Sequence, residues 1–440
     1  MRRLGWVAIL ALTGGSSVSA DDWPQWRGPN RDGRSAETGL LEAWPEGGPP
    51  LAWQAEGLGA GYSSVAVVGG RVYTMGDPGD GQLVLALAPG GERLWATRIG
   101  DPAEEEYFGP LSAPTVDGDR LYVVGANGEV VALETASGEV VWRRSLPDDF
   151  GSELMQAMGN TDWNYAESPL VDGDQVIVTP GMTDGALVAL DKETGEELWR
   201  TAIPRLGSQG AYGAAYSSAV VSHGAGVRQY VQFIGRGIIG VEAAGGRFLW
   251  GYNRVANDIA NIPTPLVDGD RVFASSGYGT GSALIRLVPG EPEEPEEGED
   301  PRPGPFVDAD EVYFLTADVV QNHHGGMILH DGHVYTGTGH NRGFPIAVRL
   351  EDGAVAWGPE RNEGQGSAAV TYADGRLYFR YQDGRMMLVE ATPEAYREHG
   401  TFLIPDVERP SWTHPVISDG LLYLREQDRL YVHDLRAVAE

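Results

Sequence analysis

Residues 130–142 read VVALETASGEVVW, and a close relative, LVALDKETGEELW, returns at residues 187–199. Looser copies end at Trp95, Trp250 and Trp357, and in all five a glycine stands four residues before the tryptophan. A phrase that recurs along a chain restricts it to an array or ring of similar units, each burying its apolar face against a neighbour. Extended backwards, the unit becomes SAPTVDGDRLYVVGANGEVVALETASGEVVWRR from Ser112 and ESPLVDGDQVIVTPGMTDGALVALDKETGEELWR from Glu167. Each holds four short runs with strand-like alternation and β-branched or aromatic enrichment, separated by turn signals, which predicts a four-stranded meander. Asp117-Gly118, Asp172-Gly173, Asp268-Gly269, Asp331-Gly332, Asp374-Gly375 and Asp419-Gly420 fall between the first and second runs, where Asp-Gly favours a tight hairpin.

Eight units start near Tyr62, Leu111, Tyr165, Tyr216, Asn261, Asn322, Gly366 and Trp412, at spacings of 44 to 61 residues. The expected fold is an all-β, eight-bladed propeller. The last unit ends after three strands and has no glycine-to-tryptophan tail. Its fourth strand is predicted at residues 50–56, PLAWQAE, with Trp53 as its tryptophan. A strand from the other end of the chain would close the ring and remove two exposed sheet edges. The tryptophans expected to pack blade on blade are Trp53, Trp95, Trp142, Trp199, Trp250 and Trp357. Two blades depart from the phrase. In the fifth, residues 288–305 (VPGEPEEPEEGEDPRPGP) read as an acidic, proline-rich surface loop. In the seventh, ATPEAYREHGTF replaces the tail.

The chain opens with Arg2 and Arg3, a short apolar run from Leu4 to Leu12 and small residues up to Ala20, the layout of a secretory signal peptide with cleavage expected after Ala20. The expected organisation is a signal peptide at 1–20, an N-terminal arm at 21–49 and the propeller at 50–440, in the periplasm or secreted. The 440-residue sequence contains no cysteine, so disulfides, thiolate metal sites, c-type haem attachment and a lipidated cysteine are not expected. Its formal charge of −31 argues against nucleic acid and anionic lipid as partners.

In a meander blade the second-to-third turns and the blade-to-blade connections share one end. Here that end is varied and rich in aromatic and hydrogen-bonding residues, and it is expected to ring one mouth of the central channel. The candidate ligand-binding residues are Tyr62, Asn160, Trp163, Asn164, Tyr165, Asn261, Asn322, His323, His324, His340, Asn341, Arg342, Trp412 and His414. The flat indole of Trp163 among amides suits a planar or sugar ligand. Three histidines in the sixth blade could hold a transition metal, but on an extended backbone His323 and His324 point apart, so no metal site is expected.

Ala189, Asp191, Thr194, Gly195 and Trp199 match the motif A-x-D-x-x-T-G-x-x-x-W, and Ala132, Gly138 and Trp142 match it with Glu134 and Ser137 substituted. The chain thereby resembles the pyrroloquinoline quinone (PQQ) type of propeller repeat over essentially its whole mature length. That resemblance implies two alternatives. One is a PQQ- and calcium-dependent alcohol or sugar dehydrogenase, in which Glu167 and Asn261 are eligible calcium ligands and Asp162 the eligible catalytic base. The other is a non-catalytic propeller similar to the propeller lipoprotein of the outer-membrane barrel-assembly machinery, and to exported repeat proteins that open with W-P-Q-W-R-G-P, here Trp23 to Pro29. The second is the preferred expectation: a monomeric binding or assembly module for an unidentified ligand or envelope protein, without a cofactor. The segment WPQWRGPNRDG is expected to dock on the propeller. Inter-blade packing predicts that Trp142→Ala and Trp199→Ala each cost about 3–5 kcal/mol in chemical denaturation; a cost near zero contradicts it.

Overall fold

The computed structural model describes residues 22–103, 107–155, 163–292 and 304–437. The expected signal peptide, Asn160, Asp162 and most of the acidic loop of the fifth blade lie outside these residues. The described chain forms eight four-stranded antiparallel sheets. Blade 1 spans residues 66–100, blade 2 115–145, blade 3 170–200, blade 4 220–252, blade 5 266–316, blade 6 327–357 and blade 7 368–403. Blade 8 takes three strands from residues 416–434, and Leu51–Ala55 pairs antiparallel with Arg429–Asp434 as its fourth, with Ala55 opposite Leu430. The ring is therefore closed by pairing the two ends of the chain. The first strand is three or four residues long in seven blades and six in blade 7, and first strands of neighbouring blades contact one another, so these strands line the central channel.

The repeated phrase has a mechanical explanation. Opposite each tryptophan of the phrase stands a small residue: Ala86 faces Trp95, Ala132 faces Trp142, Ala189 faces Trp199, Gly240 faces Trp250 and Ala347 faces Trp357. The register slips just before the tryptophan in each case, a bulge that turns the indole towards the following blade. Trp95, Trp142 and Trp199 there lie on the glycine of that blade's own phrase, Gly138, Gly195 and Gly246. A methyl group added at Gly138 would come within 2.5 Å of the Trp95 ring, and one at Gly195 within 2.7 Å of the Trp142 ring. Both glycines have φ near +70° (73° and 72°), which side chains disfavour as well. The indole N–H completes the joint, with Trp95 Nε1 donating to Thr135 O at 3.1 Å and Trp142 Nε1 to Lys192 O at 2.8 Å. Trp53 lies in the same way against Gly91 of blade 1, so the joint crosses the closure. Trp250 is buried between blades 4 and 5, with its N–H on Gln229 Oε1.

The two departing blades fill the same slot with other aromatics. In blade 5, Tyr313 stands opposite Leu284 and packs on Gly353 of blade 6, its hydroxyl donating to Leu350 O at 2.8 Å. In blade 7 the register position belongs to Gly400, opposite Leu388. Trp44 of the N-terminal arm lies on that glycine, 5.8 Å from Tyr378 and 5.1 Å from Phe402 between ring centroids. The arm therefore supplies the tryptophan that blade 7 lacks.

The path of the arm explains how Trp44 arrives there. Trp23 exchanges two backbone hydrogen bonds with Val67 of blade 1, Pro24 O accepts from Val116 N of blade 2, and Arg31 donates to Ser168 O and Pro169 O ahead of blade 3. Arg27 donates to Met327 O and Arg34 to Leu329 O in blade 6, and Ser35 N reaches Tyr372 O in blade 7. Residues 23–35 thus cross the channel at its tight-turn end and bond to the inner strands of four blades and to the residues leading into a fifth. The chain then runs outwards past Leu435 and His399 and becomes the outer strand of blade 8. Trp44 is buried at 7 % exposure, so Trp44→Ala is expected to cost about 3–5 kcal/mol by chemical denaturation, while Leu198→Ala on the exposed outer rim changes stability by less than about 0.5 kcal/mol. Equal small costs for both would show that the arm does not support blade 7.

Candidate functional site

At the varied end of the channel the connections between blades converge on a pocket of about 240 Å³. That is below the roughly 300–1,000 Å³ of sites for drug-sized ligands, and limits an occupant to about one ring. Its wall is a belt of aromatic rings in mutual contact. Trp163 lies 5.9 Å from Tyr216 and 6.2 Å from Tyr107, Tyr107 lies 4.8 Å from Trp412, and Trp412 lies 5.2 Å from Tyr62. His324 stacks on Trp412 at 4.3 Å and 21°. The floor is Trp26 of the arm, whose ring is 4.5 Å from that of His414 and whose N–H donates to Thr264 Oγ1 at 3.1 Å. The arm thus turns an open channel into a blind pocket. Gln382 orients Trp412 by accepting its indole N–H at 3.1 Å.

The two adjacent histidines do not point apart as an extended backbone would require. The chain bends at His323 and His324 because Asn322 Oδ1 accepts from Gly325 N at 2.6 Å, and Gly325 and Gly326 take up the turn. The two rings end 3.9 Å apart, with His340 4.0 Å from His323. Both His323 nitrogens and one of His340 are nevertheless taken up: His323 Nδ1 meets Ser367 Oγ at 2.7 Å, His323 Nε2 meets the Tyr278 hydroxyl at 2.9 Å, and His340 Nδ1 accepts from Tyr278 N at 3.2 Å. Among the described residues no three His, Cys, Asp or Glu side chains are placed to hold a metal ion.

Of the candidates read from the sequence, the structure brings Tyr62, Trp163, His323, His324, Asn341, Trp412 and His414 to this one pocket. His340 stands behind Tyr278. Arg342 faces a separate hollow on the flank of blade 6, beside Phe344 and Arg361. Four others turn into the scaffold. Tyr165 is in the core between blades 2 and 3 with its hydroxyl on Ser152 Oγ at 3.0 Å, and Asn164 donates to Tyr107 O at 3.3 Å. Asn261 ties Asn257 N to Gly235 O, and Asn322 holds the histidine bend. The three amides use their bonds to fix backbone at the channel rim. Sequence reading missed Trp26, Tyr107, Tyr278 and Gln382. The last three lie in the same class of loops and could have been found by applying the face argument to every blade; Trp26 could not, since it enters from the other end.

Burial makes the pocket electrically neutral. It pushes the imidazoles of His324 and His414 down to about 3, with His340 adding to the effect on the first and Arg27 on the second. Burial, reinforced by His324 and His340, also pushes His323 far down, and burial lowers His340. The Tyr62 and Tyr278 hydroxyls are pushed up to about 12 by the same cause. No Lys, Arg, Asp or Glu is among the described lining residues. Among the described lining residues Trp163 Nε1 is buried without a hydrogen-bond partner, whereas His414 bonds the backbone of His324 and the Tyr62 hydroxyl bonds Arg409.

These donors do not fit PQQ, whose three carboxylates call for cationic partners. The eligible calcium ligands are also occupied. Glu167 is buried, accepts from Thr179 N at 2.6 Å and is pushed up to about 7 by burial, while Asn261 is consumed by backbone bonds.

A ring of glycine-seated tryptophan meanders closed by its own N-terminal strand defines the class of PQQ-like β-propellers. The model of the family described as "Outer membrane protein assembly factor BamB" matches residues 79–359, and the chain belongs to that family. Among curated relatives it is 34% identical over 85 residues to outer membrane protein assembly factor BamB of Aliivibrio fischeri, covering 18% of this chain and 21% of that one. It is 25% identical over 203 residues to the Burkholderia pseudomallei protein of the same name, covering 46% and 44%. It is also 30% identical over 149 residues to polyvinylalcohol dehydrogenase of a Sphingopyxis strain, covering 31% and 21%. The chain thus spans less than half the length of these relatives. Among solved structures, BamB from Moraxella catarrhalis superposes with a TM-score of 0.58 at 12% identity, covering 88% of this chain and 99% of that one. Quinohemoprotein alcohol dehydrogenase from Comamonas testosteroni superposes at 0.61 and 13%, covering 96% and 81%. At these identities the superpositions show the fold.

The lowered imidazoles have a pH consequence. A group whose folded pKa lies below its unfolded value binds fewer protons when folded, so stability is full above the unfolded value of about 6.5 and is lost as pH falls towards about 3. Glu167, raised from 4.5 to about 7, acts oppositely in the window between those values. With His323, His324 and His414 outnumbering it, the melting temperature is expected to fall from about pH 6.5 to about pH 4. His324→Gln and His414→Gln should each flatten that slope; unchanged slopes would show these rings to be protonated in the folded protein.

Proposed function

We propose that the chain is an exported, non-catalytic propeller of the cell envelope, periplasmic or secreted, which acts as a monomer and binds a ligand or protein partner through the loops at the mouth of its channel. The observation that carries this reading is the blind aromatic pocket. Its walls come from the connections of several blades, and its floor from the arm that also completes the ring. A rigid scaffold that gathers aromatic rings at one end, with no charged group among the described lining residues, offers recognition rather than acid–base or hydride chemistry. Membership of a family described by outer membrane assembly supports a protein partner in the envelope. The polyvinylalcohol dehydrogenase match favours the quinone enzyme, but it covers about a third of the chain, and the lining residues argue the other way.

The test is cross-linked capture from envelope extracts with the wild-type protein, the double variant Trp163→Ala/Trp412→Ala and the rim control Leu198→Ala, each checked for an unchanged melting temperature. Species held by wild type and the rim control but lost from the double variant are expected. The same species from all three overturns the reading, as does calcium-dependent binding of PQQ with dye reduction in the presence of an alcohol or sugar.

A further inference from the structure

Resting on that reading, we propose that the mouth pocket binds the ring of a neutral saccharide, its C–H face laid on an indole and its hydroxyls bonded to uncharged polar groups. The argument is one of matching. An anionic ligand would find no Lys or Arg among the described lining residues, and the histidines there are held neutral by burial. A cation would find no carboxylate among them, and a quaternary ammonium would leave the Trp163 Nε1 donor without a partner. A purely apolar side chain of a partner protein would do the same, and each buried unpaired polar group costs about 1–3 kcal/mol.

What remains is a ligand with a flat apolar face and a hydroxylated edge. Indoles and phenols supply the complement to the face, since their rings are apolar and electron-rich over a wide area. Asn341 and Gln382 supply amide groups at the edge, and His414, 5 % exposed and against Trp26, closes the floor. A hydroxyl both donates and accepts, so one saccharide can satisfy the N–H of Trp163 as an acceptor and bond the side-chain amides of Asn341 and Gln382 in either sense. The volume of about 240 Å³ admits one ring and leaves any further residues of a chain to project from the mouth.

The test is calorimetric titration and saturation-transfer NMR of the full chain with glucose, N-acetylglucosamine, maltose and cellobiose. Glucuronate, choline and N-acetyltyrosinamide serve as anionic, cationic and aromatic comparators. At least one neutral sugar is expected to bind at one site. Trp163→Ala and Trp412→Ala should each weaken it by about tenfold or more, while Trp163→Phe, which keeps a ring but removes the N–H, should fall between. Equal binding of the mono- and disaccharide identifies a free sugar as the source; binding of the disaccharides alone identifies a glycan chain. No neutral sugar binding, or binding unmoved by both tryptophan variants at unchanged melting temperature, overturns the saccharide. If choline or N-acetyltyrosinamide binds instead and is lost in those variants, the saccharide falls and the binding pocket stands. If the capture from envelope extracts is also unmoved by the variants, both fall.

Discussion

The contact on which the rest of the molecule depends is an indole lying flat on a glycine of the next blade. Three requirements meet there. The glycine must lack a Cβ because the ring occupies its place, the residue paired with the tryptophan must be small so that the bulge can swing the indole outwards, and an acceptor, a backbone carbonyl or a glutamine Oε1, must wait for the N–H. Each blade therefore constrains the next, and the constraint is carried by short-range sequence spacing. That is why the phrase recurs with glycine and tryptophan fixed while the residues between them vary. The two exceptions follow the same geometry: Tyr313 reaches its glycine with a smaller ring and a hydroxyl, and blade 7 leaves Gly400 vacant for Trp44.

Ring closure and the site are linked through the arm. Holding residues 23–35 across the channel requires burying Arg27 and Arg31, and burial pushes their guanidiniums down to about 10 and about 9. Such burial is tolerated only where hydrogen bonds replace water. Arg31 finds them on Ser168 O, Pro169 O and Gln25 Oε1, with the Glu167 carboxyl nearby, and Arg27 finds them on Asp32 O and Met327 O. These anchors place Trp26 beneath His414. The segment that seals one end of the ring thus shapes the pocket at the other.

The blade count, the strand order and the closing strand were legible because they rest on local spacing: Asp-Gly at the first turn, glycine four residues before tryptophan, and an unfinished last unit. The end of the channel that carries the pocket was legible for a topological reason, since loops of one class must share one end. Which side chains enter the pocket was less so. Tyr165 and Trp163 are two residues apart in one loop, yet the first is a core residue and the second lines the mouth, a difference set by the positive φ of Asn164 between them. Likewise the bend at His323 and His324 depends on one side-chain bond from Asn322, which spacing does not reveal. Trp44 and Trp26 lie far in sequence from the blades they complete, and no repeat marks them.

The pocket is neutral inside a chain of formal charge −31. A negative field acting alone would raise the histidines, because it favours the protonated ring. It does not prevail here, since surface carboxylates act through water with a screening length of about 8 Å at physiological salt, whereas desolvation acts on the ring directly. Burial is accordingly the largest cause for His323, His324, His340 and His414 alike. The same packing that seats Trp412 on His324 and Trp26 on His414 removes the water that would otherwise stabilise a charge. The neutrality of this pocket is thus a property of its aromatic packing, and any substitution that opens the belt to water would let the histidines charge.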